Sequence, residues 1–166
     1  MKPLRWVGLF PFLLASTGCS HHTIGADDFF HPWKFRLPIP TARFEHQVVS
    51  LQRPDGAVLR GVRVSHPEPK RALLYFTGNH EAVYDWVGEL DLLADAYQAD
   101  VLALDYRGVG MSDPAFPKGA ETFAVLRADA AAACDELRRR APDQDLYLIG
   151  FSLGAAIAQH VPPCGR

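Results

Sequence analysis

Residues 147–158 read Tyr147-Leu148-Ile149-Gly150-Phe151-Ser152-Leu153-Gly154-Ala155-Ala156-Ile157-Ala158. A short apolar run suits a strand, Gly150 to Gly154 suits a tight turn, and the small residues beyond suit a helix. A serine on a sharp strand-to-helix turn presents its hydroxyl clear of the backbone. Side chains at 150 or 154 would crowd it, so glycine flanks the serine on both sides. A helix opening just after Ser152 turns free N–H groups and a partial positive charge toward any oxyanion formed there. Gly-x-Ser-x-Gly alone is a weak pattern, and its bland alternative is a glycine-rich connection with no chemistry. The strand before it and the helix after it make it specific. Ser152 is the candidate nucleophile.

Working outward, the chain alternates strand and helix signals. Phe44–Leu51 and Val58–Val64 are β-prone runs joined by Arg53-Pro54-Asp55-Gly56, a hairpin turn. Ala72–Phe76, Val101–Leu104 and Leu146–Ile149 are continuous apolar runs, as expected for strands covered on both faces. Between them, Glu81–Tyr97 carries apolar residues at helical spacing. Phe123, Leu126, Ala130, Ala133, Cys134 and Leu137 trace a second helical stripe. Arg138 to Arg140 fall in that helix's last turn, where cations complement the macrodipole. A third helix is expected over Ala155–Val161, stopped by Pro162-Pro163. The fold class is therefore α/β: a mostly parallel, doubly wound sheet preceded by a β-hairpin. Ligands of such sheets bind beyond the carboxyl ends of the strands. The loops 77–80, 105–113 and 150–153 converge there.

The N-terminus reads differently. Lys2 and Arg5 precede an apolar stretch, Trp6 to Ala15, too short to span a bilayer. Ser16, Thr17 and Gly18 then lead to Cys19. This resembles a bacterial lipoprotein signal, apart from Ser16 where leucine is usual. The resemblance implies a mature chain lipidated on Cys19, with Ser20 directing it to the outer membrane, facing the periplasm. The alternative is an ordinary cleaved signal with an incidental cysteine. The expected organisation is a signal peptide at 1–18, a tether at 19–41, a partial catalytic domain at 42–161 and a tail at 162–166. Pro32, Pro38 and Pro40 keep the tether from forming a helix, and the adjacent His21 and His22 lack a third ligand for a metal.

With 166 residues, 48% of them hydrophobic, the chain suits one globular domain. A net charge of -2 without a basic stripe argues against nucleic acid as a partner. Export permits a disulfide between Cys134 and Cys164, although spacing cannot show that they meet. Cys134 on an apolar helix face is read first as a small core residue.

Four segments together resemble the N-terminal half of a serine α/β-hydrolase, of the serine aminopeptidase-like and acyl-esterase-like kind. They are the Asp55-Gly56 hairpin, Phe76-Thr77-Gly78-Asn79, Asp105-Tyr106-Arg107-Gly108-Val109-Gly110-Met111-Ser112 and Gly150-Phe151-Ser152-Leu153-Gly154. The resemblance covers residues 44–160. It implies that Ser152 attacks an acyl carbonyl and that the backbone N–H groups of Leu153 and Asn79 stabilise the oxyanion. Thr77 stands where such hydrolases usually carry a histidine that shapes the loop. Asp105 and Arg107 are expected to fix their own loop by hydrogen bonding rather than to act on substrate. Ser112 lacks the strand–turn–helix context and is no rival nucleophile.

A serine needs a base, and the base needs an orienting acid. In this family both follow the serine in the chain. Only fourteen residues follow Ser152; they hold no acid and one histidine, His160. His160 lies eight residues along the helix that leaves the Gly150–Gly154 turn, the nucleophile elbow, about 12 Å away along its axis and out of reach. His80 is nearer the site, but no acid is evidently placed to orient it. The expectation is a truncated or frameshifted hydrolase whose C-terminal half is missing. Its parent function would be hydrolysis of a small acyl substrate, carboxylic ester-type, through an acyl-enzyme and without cofactor or metal. The alternative is a non-catalytic, lipid-anchored binding or remnant protein of the same fold.

Overall fold

The computed structural model describes residues 43–79, 81–112, 119, 121–162 and 164. The signal, Cys19, the tether and His80 lie outside them. Five strands run β1 Glu45–Gln52, β2 Val58–Ser65, β3 Arg71–Phe76, β4 Ala99–Leu104 and β5 Asp145–Gly150. The α-helices among the described residues are α1 Val87–Tyr97, α2 Thr122–Arg140 and α3 Leu153–Ala158. The strand order is β1-β2-β4-β3-β5. β4, β3 and β5 are parallel, whereas β1 pairs antiparallel with β2 and β2 antiparallel with β4. The hairpin thus continues the sheet, which is mixed overall.

β3 and β4 are covered on both faces, which explains their unbroken apolar runs. Leu73, Tyr75, Val101 and Ala103 face α1 through Val87, Leu90 and Ala94. Ala72, Leu74, Phe76, Leu102 and Leu104 face α2 through Leu126, Ala130, Ala133 and Leu137, with Ile157 of α3 beside them. Each large aliphatic side chain fully buried there stabilises the fold by roughly 1.5–3 kcal/mol.

Four local expectations are corrected. Glu81–Tyr97 is not one helix: a 3-10 turn at Val83–Trp86 precedes α1. The Asp105 carboxylate holds the Val83 N–H at 2.7 Å, fixing that turn by a tertiary contact that periodicity cannot register. Phe123 is not core but 57% exposed, although Thr122 beside it at the start of α2 is buried. β5 is not buried on both faces. Among the described strands it is an edge, and Tyr147 is 47% exposed. Cys134 does not stop at filling the core: it is disulfide-bonded to Cys164, with Cα atoms 5.4 Å apart. That bond pins the segment after α3 to α2, and closing a loop of 30 residues contributes roughly 3–4 kcal/mol.

Candidate active site

The site is built where β3 and β5 end together. Pairing carries on one residue past β5, since Phe151 N–H donates to the Phe76 carbonyl at 3.0 Å. The chain then reverses sharply at Ser152, whose φ of 52° and ψ of -115° lie in a region that non-glycine residues rarely adopt. Ser152 is exposed and its carbonyl accepts the Ala155 N–H at 3.0 Å, opening α3. The helix has only six residues, so local N–H groups count for more than any macrodipole.

The two flanking glycines are required by contact. A Cβ on Gly150 would lie 2.3 Å from the backbone of Gly154. One on Gly154 would lie 2.1 Å from the Phe76 carbonyl oxygen and 2.6 Å from that of Thr77. Turn, helix start and the end of β3 therefore pack backbone to backbone, bringing the loop that carries Asn79 against the elbow. Among the described residues, neither the Leu153 N–H nor the Asn79 N–H donates to an internal acceptor.

Side chains hold that loop from three directions. Glu81 accepts the Gly78 N–H on Oε2 at 2.6 Å. Tyr106 donates its hydroxyl to the Thr77 carbonyl at 2.9 Å. Asp105 grips Val83 through Oδ1 and the Met111 N–H, at 2.9 Å, through Oδ2. Burial pushes the Asp105 carboxyl up to about 6; the two N–H groups oppose this and the charge of Asp85 adds to it. Burial likewise raises the Asp85 carboxyl and the hydroxyl of Tyr106. Thr77 is fully buried, and its hydroxyl has no partner among the described residues. Phe151 is 52% exposed and stacks on Trp86, ring centroids 5.8 Å apart, giving the elbow an apolar flank.

Asp105 and Arg107 both serve the scaffold, as expected. Arg107 reaches Asp129 of α2 through Nε at 2.5 Å and Nη2 at 2.8 Å, and Asp55 of the hairpin turn through Nη1 at 2.5 Å. These bonds hold the Asp55 carboxyl below its usual range. Ser112 Oγ donates to the Asp105 carbonyl at 2.8 Å and accepts the Arg60 N–H at 2.7 Å, so it is occupied structurally. The contributions of Glu81, Tyr106 and Trp86 were missed in the sequence; only the closeness of Glu81 to Gly78 could have hinted at one of them.

No histidine–acid pair stands beside Ser152 among the described residues. His160 Nδ1 lies 2.7 Å from the Ala156 carbonyl of its own helix. His66 stacks against Phe44. His46 does have an acid, with Nε2 2.6 Å from Asp91 Oδ1. It lies on β1, however, four strand spacings and about 19 Å from β5. The described residues also hold no group of three or more histidine, cysteine or acidic side chains able to bind a metal.

Residues 71–162, more than half of the chain, match the family model described as the alpha/beta hydrolase fold. The chain belongs to that family. Its fold is similar to that of the Pyrococcus furiosus esterase Pf2001, with a TM-score of 0.61 and 20% identity, over 78% of this chain and 51% of the esterase. It is also similar to DcsB, solved with a substrate analogue, with a TM-score of 0.57 and 20% identity, over 70% of this chain and 43% of DcsB. A soluble variant of the Saccharomyces cerevisiae monoglyceride lipase, also with a substrate analogue, matches with a TM-score of 0.52 and 21% identity, over 73% of this chain and 39% of the lipase. This α/β-hydrolase chain thus spans about half the length of these structures or less.

Proposed function

We propose that this chain is the nucleophile-bearing part of a serine hydrolase acting on a carboxylic ester of a small acyl substrate. The observation that carries the proposal is the backbone of Ser152, held at positive φ between two glycines at which an added Cβ would press on backbone atoms. Strain of this kind costs about 1–3 kcal/mol and persists where the fold over-determines it. The Ser152 hydroxyl attacks the ester carbonyl, and the N–H groups of Asn79 and Leu153 receive the developing oxyanion. Collapse expels the alcohol, and water then releases the acid from the acyl-enzyme. The proton relay these steps require comes from a histidine and an acid outside the described residues. The esterase and lipase neighbours favour an ester over a peptide or thioester. Phe151 and Trp86 favour an apolar group next to the scissile bond.

A non-catalytic binding role is the second reading, favoured by the lack of a histidine–acid pair beside Ser152 among the described residues. A fluorophosphonate probe separates the two. Labelling of the wild type that disappears in Ser152→Ala supports the hydrolase; an unlabelled but folded wild type refutes it for this chain.

The proposed location is the bacterial cell envelope, with the chain held by lipid on Cys19 at the outer membrane, facing the periplasm. The Cys134–Cys164 bond supports an oxidising compartment. Partition into the detergent phase should be lost in Cys19→Ala, and unchanged partition would exclude the anchor.

A further inference from the structure

We infer that Glu81 is the positioning residue of the oxyanion site: its carboxylate ties back to the Gly78 N–H and thereby holds Asn79 in place. The inference rests on the serine hydrolase reading for its catalytic meaning and on geometry for everything else. Gly78 is buried and its N–H is 2.6 Å from Glu81 Oε2, a charge-assisted bond spanning three residues. The same oxygen lies 2.8 Å from where a Gly78 Cβ would be, and Phe151 Cδ1 lies 3.0 Å from that point. The Glu81 carboxylate and the ring of the residue preceding the nucleophile therefore both border Gly78.

The consequence concerns which amide is available. Of two successive N–H groups beside the elbow, that of Gly78 is consumed by Glu81. That of Asn79 has no internal acceptor among the described residues. The Thr77 hydroxyl makes no bond among the described residues, so the side chain at 77 does not set this loop by hydrogen bonding. Tyr106 fixes the carbonyl of Thr77 and Asp105 fixes the N–H of Val83, on either side of Gly78 and Asn79. Without Glu81 no hydrogen bond holds Gly78 or Asn79 among the described residues, and the Gly78 N–H is left to compete for the oxyanion or for water.

Two readouts on one set of variants test this. In Glu81→Ala, exchange of the Gly78 amide with solvent deuterium should accelerate at least about tenfold. The Val83 amide, held by Asp105, should not change. Fluorophosphonate labelling of Ser152 should slow by about the same factor. Glu81→Gln, whose side-chain oxygen still accepts the Gly78 N–H, should restore both to within about threefold of the wild type. Gly78 exchange that is unaltered in Glu81→Ala overturns the inference. So does labelling that is equal in all three proteins despite altered exchange. If even the wild type is unlabelled, the hydrolase reading fails on its own, and the exchange pattern still decides whether Glu81 sets the loop.

Discussion

Adding one methyl group at Gly154 tests the architecture of the site directly. In Gly154→Ala the new Cβ would lie 2.1 Å from the Phe76 carbonyl oxygen and 2.6 Å from both the Phe76 carbonyl carbon and the Thr77 carbonyl oxygen. All three are backbone atoms at the end of β3, so no side chain can swing away. Restoring an ordinary contact of about 3.4 Å requires α3 and β3 to part by about 1 Å, and overpacking of this kind costs about 1–3 kcal/mol or more. At about 3 kcal/mol, and with an unfolding entropy near 0.25 kcal/mol/K for a domain of about 120 residues, Tm falls by about 12 °C. Labelling of Ser152 should fall further than stability accounts for, because a 1 Å displacement of catalytic groups costs up to about 10²-fold. Gly88→Ala is the control: it lies in α1 and its Cβ would meet nothing within 4 Å. It should leave Tm unchanged or raise it slightly, since alanine is the better helix former by about 0.5–1 kcal/mol. Thermal unfolding of both variants by circular dichroism decides the matter. A Gly154→Ala protein melting within about 2 °C of the wild type would refute the backbone-to-backbone packing of elbow on β3.

Two further outcomes follow from groups away from the nucleophile. Asp105 titrates near 6 in the folded protein against 3.8 unfolded. Between those values the folded state therefore holds the extra proton, and this group's contribution to stability falls as pH rises from about 4 to about 6. Urea unfolding should show the wild type losing on the order of 2 kcal/mol relative to Asp105→Asn over that range, and a pH-independent difference would refute the assignment. Reduction of Cys134–Cys164, or Cys164→Ser, should cost roughly 3–4 kcal/mol and lower Tm by more than about 10 °C. A melting curve indifferent to reductant would show that the bond does not form.

The parts of this protein that were legible in its sequence are those in which local chemistry and long-range packing agree. Gly150-Phe151-Ser152-Leu153-Gly154 announces its turn because only glycine tolerates the contacts on either side of Ser152. The apolar runs at Ala72–Phe76 and Val101–Leu104 announce buried strands because both sheet faces are covered. Asp105 and Arg107 were read as scaffold, and their partners, Val83, Met111, Asp129 and Asp55, bear this out. Phe123 and Leu126 look alike as members of one helical stripe, yet one is exposed and the other 2% exposed. Periodicity says which residues share a face, not where the neighbouring surface ends.

Tertiary structure decided the rest, wherever a contact joins residues far apart in the chain. The 3-10 turn at Val83–Trp86 exists because a carboxylate 22 residues later takes the Val83 N–H. The order β1-β2-β4-β3-β5 puts β3 beside β5, and so sets the Thr77–Asn79 loop against the elbow although some 70 residues separate them. Cys134 and Cys164 are brought together by the packing of α2 against the chain after α3. By itself the sequence determined most of the strands and helices and the turn at Ser152, because these depend on backbone conformation and on the period of apolar residues. Only the fold decided which amides stand beside that serine without an acceptor among the described residues, because that depends on how β3 and β5 pair and where the Glu81 carboxylate comes to rest.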